Sequence, residues 1–348
     1  MQQMKTWFNN PVAVRQQILV GCQNQQYLQP AIVEKDWWVT AVLHALFQTS
    51  CAKHLIFKGG TSLSKGWKVI DRFSEDIDLA LHRSFFGIEK TSKNQKEKLR
   101  KTGRKYIVDE LSKELDQQLA LMGISGYRVE SVTTKTTRDG LVVPVDSDKD
   151  PTVINVYYDS VAAGVVPYAQ TAVKIEISCI SMDEPSEVRT ISSLVEQTFP
   201  GEDKDVTSQI RTVVPTRTFL EKIFLLAEEF QKEKPRSIRM TRHLYDLERL
   251  MDTEFGLAAL NDGELYAAIV KHRSIYYDLP YVDYQKHHPA TISFLPPDGI
   301  IQEWEKDYGN MQASFIYGTS LPFSDLLARM QELQNRLRTV KTKDNLIE

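Results

Sequence analysis

Asp76 and Asp78 stand two positions apart in the run Ser74-Glu75-Asp76-Ile77-Asp78-Leu79-Ala80-Leu81. Side chains alternate across a strand, so these carboxylates share one face while Ile77, Leu79 and Leu81 share the other. Adjacent carboxylates repel unless a cation neutralises them. Hard oxygen donors of this kind suit Mg²⁺, which combines one or two carboxylates with substrate phosphates, and Mn²⁺ is an acceptable substitute. Upstream, Leu55-Ile56-Phe57 followed by Lys58 reads as a short buried strand stopping at Gly59-Gly60, a turn that needs glycine backbone freedom. A helix is expected next, capped by Thr61 or Ser62 and carrying Leu63, Trp67 and Ile70 on its apolar stripe. The N–H groups of Gly59, Gly60 and Thr61 at its start, with the Ser62 hydroxyl and Lys65, would hold phosphate oxygens. A triphosphate clamp beside a metal-binding carboxylate pair is the apparatus of nucleotidyl transfer, with an NTP as substrate. Gly-Gly alone is ordinarily a turn, and Asp-x-Asp alone a solvated strand face. Their order and spacing on a strand-turn-helix-strand unit carry the reading.

The signature GG-T-S-L-S-K followed by R-F-S-E-D-I-D-L resembles that of the AbiEii/AbiGii nucleotidyltransferase toxin family, within the polymerase-β-like nucleotidyltransferase superfamily. EKDWWVTAVLHALF, RTFLEKIFLLAEEF, RHLYDLERL and SLPFSDLLARMQELQNRL are similar to further segments of that family, so the likeness covers most of the chain. It implies a toxin of an abortive-infection or toxin–antitoxin system in phage defence, with a tRNA 3′ end as the acceptor and a separate protein antitoxin as partner. It also places the family's EK motif on Lys222 and a functional acid on Asp246. Superfamily sites carry a third acid on a strand neighbouring the carboxylate pair, and Glu176 is the residue that resembles it.

The elements around the signature follow from composition and periodicity. The chain has 348 residues, 42% apolar and 26% charged, enough for one large or two ordinary domains with real cores. A net charge of −3 gives no global attraction to nucleic acid or anionic membrane, so RNA binding would rest on a local basic patch. Cys22, Cys51 and Cys179 lack metal-ligand spacing and read as buried thiols of a reduced cytosol. With neither a signal peptide nor a transmembrane-length apolar run, a soluble cytoplasmic protein with no membrane partner is expected.

Residues 10–50 read as helices, with Trp38, Val42 and Leu46 facing the core, Trp37 and Trp38 as core aromatics, and Glu34 and Asp36 as ordinary first-turn acids. Lys90–Lys105 holds eight lysines or arginines and one acid, Glu97. That run is either a solvated helix face or a hold for acceptor RNA phosphates. Gly126–Thr137 and Thr152–Tyr158 read as strands flanking a polar loop over 138–151. On Ala172–Ile180, Glu176 is either the third acid of the metal site or a rim acid paired with Lys174. Beyond a loop at Gly201–Val206 the helical period takes over. Thr218 with Glu221 reads as a capping box for the helix carrying Lys222, which is either a snorkelling lysine or a phosphate ligand. Asp246, on a helix over Ser237–Met251, either pairs on the surface with Arg242 and Arg249 or acts in the site. A helix over 257–270 and a last helix over Phe323–Leu337 capped by Ser324 follow, with a fraying tail.

The expected fold is α/β (α+β): a polymerase-β-like nucleotidyltransferase core with a mixed sheet, N-terminal helices and a basic insertion over 1–210, and a helical C-terminal domain over 211–348, with the cleft between them. The expected catalytic residues are Asp76, Asp78, Lys222 and Asp246. Gly59, Gly60, Thr61, Ser62 and Lys65 are expected to bind nucleotide, and Asp76, Asp78 and Glu176 to bind metal. The same chemistry directed at a small molecule or a protein hydroxyl, or an inactive binding protein of this fold, are the alternatives.

Overall fold

A seven-stranded mixed sheet carries the carboxylate pair in the computed structural model, which describes residues 6–88, 93–137, 139–162, 171–182 and 185–342. Lys90 of the basic run and residues 343–348 of the tail lie outside these. By backbone contacts the chain forms two units, one of Met1–Gly66 with Ser74–Thr212, the other of Trp67–Phe73 with Val213–Glu348.

The first unit begins with helices α1 (Val12–Gln26) and α2 (Pro30–Leu46). Strand β1 (Leu55–Lys58) leads directly into α3 (Gly59–Thr61), which continues as a π-helical turn over Ser62–Trp67. Then come β2 (Ile77–Leu81), α4 (Lys93–Tyr106), a π-helical turn over Ile107–Leu111, α5 (Ser112–Leu121), β3 (Tyr127–Ser131), β4 (Thr134–Thr136), β5 (Val142–Pro144), β6 (Thr152–Tyr158), β7 (Ala172–Ser178), β8 (Ser186–Ile191), α6 (Leu194–Thr198) and β9 (Ser208–Val213). The sheet order is β3-β6-β7-β2-β1-β9-β8. β2 lies antiparallel to β1 and parallel to β7, and β1 lies parallel to β9. Ile77, Leu79, Ile175 and Ile177 are fully buried on the apolar face. α2 is buried along nearly its whole length, with Trp37 hydrogen-bonded to Asp203 through Nε1 at 2.8 Å and Trp38 stacked on Tyr158 at 4.6 Å. Both tryptophans are core aromatics, and the three cysteines are buried and free.

Three sheet elements depart from the sequence reading. The polar loop over 138–151 contains β5, paired with β4 in a separate two-stranded sheet. β8 and β9 were not expected. In β9, Gln209 and Arg211 are exposed while Ile210 and Thr212 are buried, a period-2 pattern masked by its polar residues.

In the second unit, α7 (Pro215–Glu229), α8 (Thr241–Leu250), α9 (Glu254–Asn261), α10 (Gly263–His272), α11 (Ile301–Ser314) and α12 (Phe323–Leu337) pack together with the Trp67–Phe73 segment. That segment is stitched in by backbone: Phe73 N donates to Phe315 O at 2.7 Å, and Tyr317 N to Asp71 O at 3.1 Å. Several caps differ from expectation. α7 starts at Pro215, whose missing N–H costs nothing in a first turn, so Thr218 lies inside the helix and is buried. α8 starts at Thr241, where Asp307 of α11 accepts from Thr241 N and Oγ1. Asp262 caps α10 by accepting from Leu265 N at 2.8 Å, which divides the single helix expected over 257–270. Ser324 sits in the first turn of α12, with Pro322 at the cap position. Among the described residues no helix is long and apolar enough to cross a membrane.

Candidate active site

Gly59 adopts φ +77°, a left-handed conformation that L side chains rarely take. A Cβ built on it would lie 2.0 Å from Asp78 Oδ2 and 2.7 Å from Asp78 Cγ. Glycine is therefore required twice, by the backbone and by the carboxylate beside it. Lys58 is the register partner of Asp78 across β1 and β2. Asp76 immediately precedes β2 and is half-buried, as is Asp78, with fully buried Ile77 between them. The two carboxylates thus share the polar face, next to the glycine turn.

Thr61 and Ser62 do not cap the helix as expected, because the helix begins at Gly59 with Lys58 in the cap position. Both side chains are buried and brace the turn instead. Thr61 Oγ1 donates to the Asp76 carbonyl and lies 2.9 Å from Ser74 Oγ, while Ser62 Oγ donates to Gly59 O at 2.8 Å. First-turn N–H groups of a helix have no intrahelical acceptor, which applies to those of Gly59, Gly60 and Thr61.

Glu176 is in register with Asp78 on the parallel neighbour β7, and its carboxylate lies 2.5 Å from Lys174 Nζ. Among the described residues no group of three or more His, Cys, Asp or Glu side chains is arranged to hold a metal. The Asp76 and Asp78 oxygens, with room kept for Asp78 by the absent Gly59 side chain, fit a hard divalent cation that draws its remaining ligands from phosphate and water.

A set of buried charges was not read as such from the sequence. Glu34, Lys35 and Asp36 of α2 are all buried, and because the helix starts at Pro30 the two acids are not the ordinary first-turn residues expected. Glu34 accepts from Val161 N at 2.8 Å and from Ser160 Oγ. Lys35 Nζ donates to Ala172 O and lies 3.4 Å from Glu75 Oε2. Asp36 accepts from Lys65 Nζ at 2.5 Å and from Leu194 N at 2.7 Å. The Lys65 ammonium, expected at leaving phosphates, is thus engaged with Asp36. The available signal was three consecutive charges inside a helix whose remaining positions, Thr40 and His44 apart, are apolar all round.

In the second unit Asp246 is fully buried. Its carboxylate does not pair with Arg242 or Arg249. Arg72 grips it through Nε and Nη2 at 2.6 and 2.7 Å, and Lys222 Nζ lies 2.8 Å from Oδ2. Burial pushes the Asp246 carboxyl up, but Arg72 and Lys222 outweigh it and hold it below its ordinary value. Burial lowers Lys222, and the nearby Arg72 cation adds to that against the pull of Asp246. Burial, reinforced by Lys222 and Arg242, holds His243 well below the usual imidazole value, so it is neutral at pH 7. The structure therefore joins Lys222 and Asp246 directly and adds Arg72, the first residue of the R-F-S-E-D-I-D-L signature, to which the sequence reading gave no role.

No curated protein matches the chain. The family model described as nucleotidyl transferase AbiEii toxin of type IV toxin–antitoxin systems matches residues 41–329, a span that takes in the glycine turn, the carboxylate pair and the Lys222–Asp246 pair. The chain belongs to the AbiEii nucleotidyl transferase toxin family.

Proposed function

We propose that this protein transfers a nucleoside monophosphate from an NTP to an acceptor hydroxyl at the end of a tRNA, on a polymerase-β-like core, as the toxin of a pair neutralised by a protein antitoxin. The observation that carries the reading is the carboxylate pair on one polar face beside a glycine turn whose missing side chain keeps space for Asp78. Asp76 and Asp78 would hold Mg²⁺ or Mn²⁺, which supplies charge neutralisation at the triphosphate. The first-turn N–H groups of Gly59, Gly60 and Thr61 orient phosphate oxygens, and their fixed dipoles offset charge as the acceptor oxygen bonds to the α-phosphorus and pyrophosphate leaves. Thr61 and Ser62 act behind them by bracing the turn. Lys222 and Asp246 would serve the same reaction, with Asp246 keeping the lysine in place. Glu176 stands next to Asp78 in register and would join the metal ligands if Lys174 releases it.

Incubation with each labelled NTP, total tRNA and Mg²⁺ tests this reading. Label on tRNA supports it, label on a protein or small molecule reassigns the acceptor, and no label with any acceptor or metal sinks it. Asp76→Asn and Asp78→Asn are the controls.

A further inference from the structure

Two adjacent residues of α2 reach the two halves of the candidate site through buried charge pairs. Successive helix positions point about 100° apart, so neighbouring side chains serve different segments. Asp36 takes the Lys65 ammonium at 2.5 Å, on the π-helical turn that continues the glycine-turn helix. Lys35 faces Glu75 at 3.4 Å, the residue before Asp76, and also donates to Ala172 O, the first residue of β7. β7 and β2 are parallel neighbours, so Lys35 sits where both begin. All four charged side chains are at least nine-tenths buried. Taking an ion out of water costs several kcal/mol, and a well-packed apolar pair is often as stable or more so, which makes two such pairs a poor device for stability.

We propose that α2 is the positioning element of the site: the Asp36–Lys65 pair sets the glycine-turn helix, and the Lys35–Glu75 pair sets the start of the Asp76–Asp78 strand beside β7. The four residues are positioning residues, and Lys65 acts on the nucleotide through the turn it anchors. The consequence for nucleotide binding rests on the nucleotidyl transfer reading, whereas the consequence for local order does not.

The test uses the full chain with the apolar double replacements Asp36→Leu/Lys65→Met and Lys35→Met/Glu75→Leu, which avoid the lone buried charge that a single substitution leaves. With the thermal midpoint kept near wild type, we expect faster amide exchange at residues 57–64, besides the Leu194 amide that Asp36 also holds, in the first double, and at residues 75–80 and 172–177 in the second. Affinity for NTP with Mg²⁺ should fall about tenfold or more in the first, a loss typical of coupled groups. In the second, kcat should fall with KM for NTP little changed. Unchanged exchange in both doubles overturns the proposal, whether or not wild type binds NTP. Asp36→Asn separates the two roles of Lys65. A direct phosphate contact predicts that freeing the ammonium preserves or tightens NTP binding, and that result overturns the positioning role. Equal losses in Asp36→Asn, Lys65→Met and the double support it. Failure of wild type to bind any NTP, together with the expected exchange pattern, would leave α2 as the positioning element and sink the nucleotidyl transfer reading alone.

Discussion

Asp76 and Asp78 each present a carboxylate on a half-exposed face, so exchanging either for its amide removes a proposed metal ligand without making a cavity. Asp76→Asn and Asp78→Asn are expected to abolish transfer while leaving the thermal midpoint within a few degrees of wild type, measured by labelled-nucleotide transfer and calorimetry on the same samples. Gly59 is different, since any side chain there meets both strain and Asp78. Gly59→Ala should cost about 1–3 kcal/mol in urea unfolding from the left-handed backbone and abolish transfer by displacing the carboxylate. Asp203 provides a pH signature away from the site. Burial raises its pKa from 3.8 to about 6, against hydrogen bonds from Ser193, Trp37 and Trp7 that favour the charged form. An acid whose folded pKa is raised binds its proton more tightly in the native state. Its contribution is therefore full below pH 3.8 and is lost as pH rises through about 6. About two units correspond to roughly 3 kcal/mol. Asp203→Asn should flatten that component of the decline between pH 4 and 7, and an unchanged midpoint-versus-pH slope would refute the assignment.

At the level of elements, the Trp67–Phe73 segment decides how Asp246 behaves. An Asp246 paired on a helix surface would be worth about 0–1 kcal/mol, and Asp246→Ala would be nearly silent. Held by Arg72 and Lys222 with no solvent exposure, it instead leaves two buried cations behind when removed. Asp246→Ala should therefore destabilise by about 3–5 kcal/mol in urea unfolding, and Arg72→Met should show strong coupling to it in a double-mutant cycle. Additive, sub-kilocalorie effects would contradict the buried triad. Lys222→Met removes one of the two cations and leaves the carboxylate paired with Arg72. Its stability loss should be the smaller one, so a loss of transfer exceeding that of stability would mark a role in the reaction.

For the whole molecule, family membership predicts a phenotype as well as an assay. Induced expression should arrest growth, and the Asp76→Asn variant should not. Co-expression of a cognate antitoxin should relieve the arrest. Arrest that persists undiminished in Asp76→Asn would separate toxicity from nucleotidyl transfer.

The local chemistry was legible in the chain itself. The strand at Leu55–Lys58, the glycine turn, and the alternation of Asp76 and Asp78 against Ile77 and Leu79 are fixed by periods of a few residues and by what glycine alone can do with its backbone. The burial of Trp38 followed from the same periodicity. Partners far apart in sequence were not legible, because spacing along a helix says which side chains share a face but not what lies opposite. Asp246 lies on α8 with Arg242 and Arg249, yet it takes Arg72, 174 positions away. Lys65 reads as a phosphate ligand, and nothing in its spacing announces that Asp36 lies beside it. Glu34 and Asp36 read as ordinary first-turn acids, whereas both are buried with partners on distant strands and loops. β9 joined the sheet because pairing with β1 satisfies its backbone, an interaction to which its polar sequence contributes almost nothing. Sequence determined which chemical groups stand at the glycine turn and on the polar strand face beside it. Tertiary packing decided which of its charges are withdrawn from solvent to hold those groups still, because burial turns weak surface pairings into costly, geometrically strict ones.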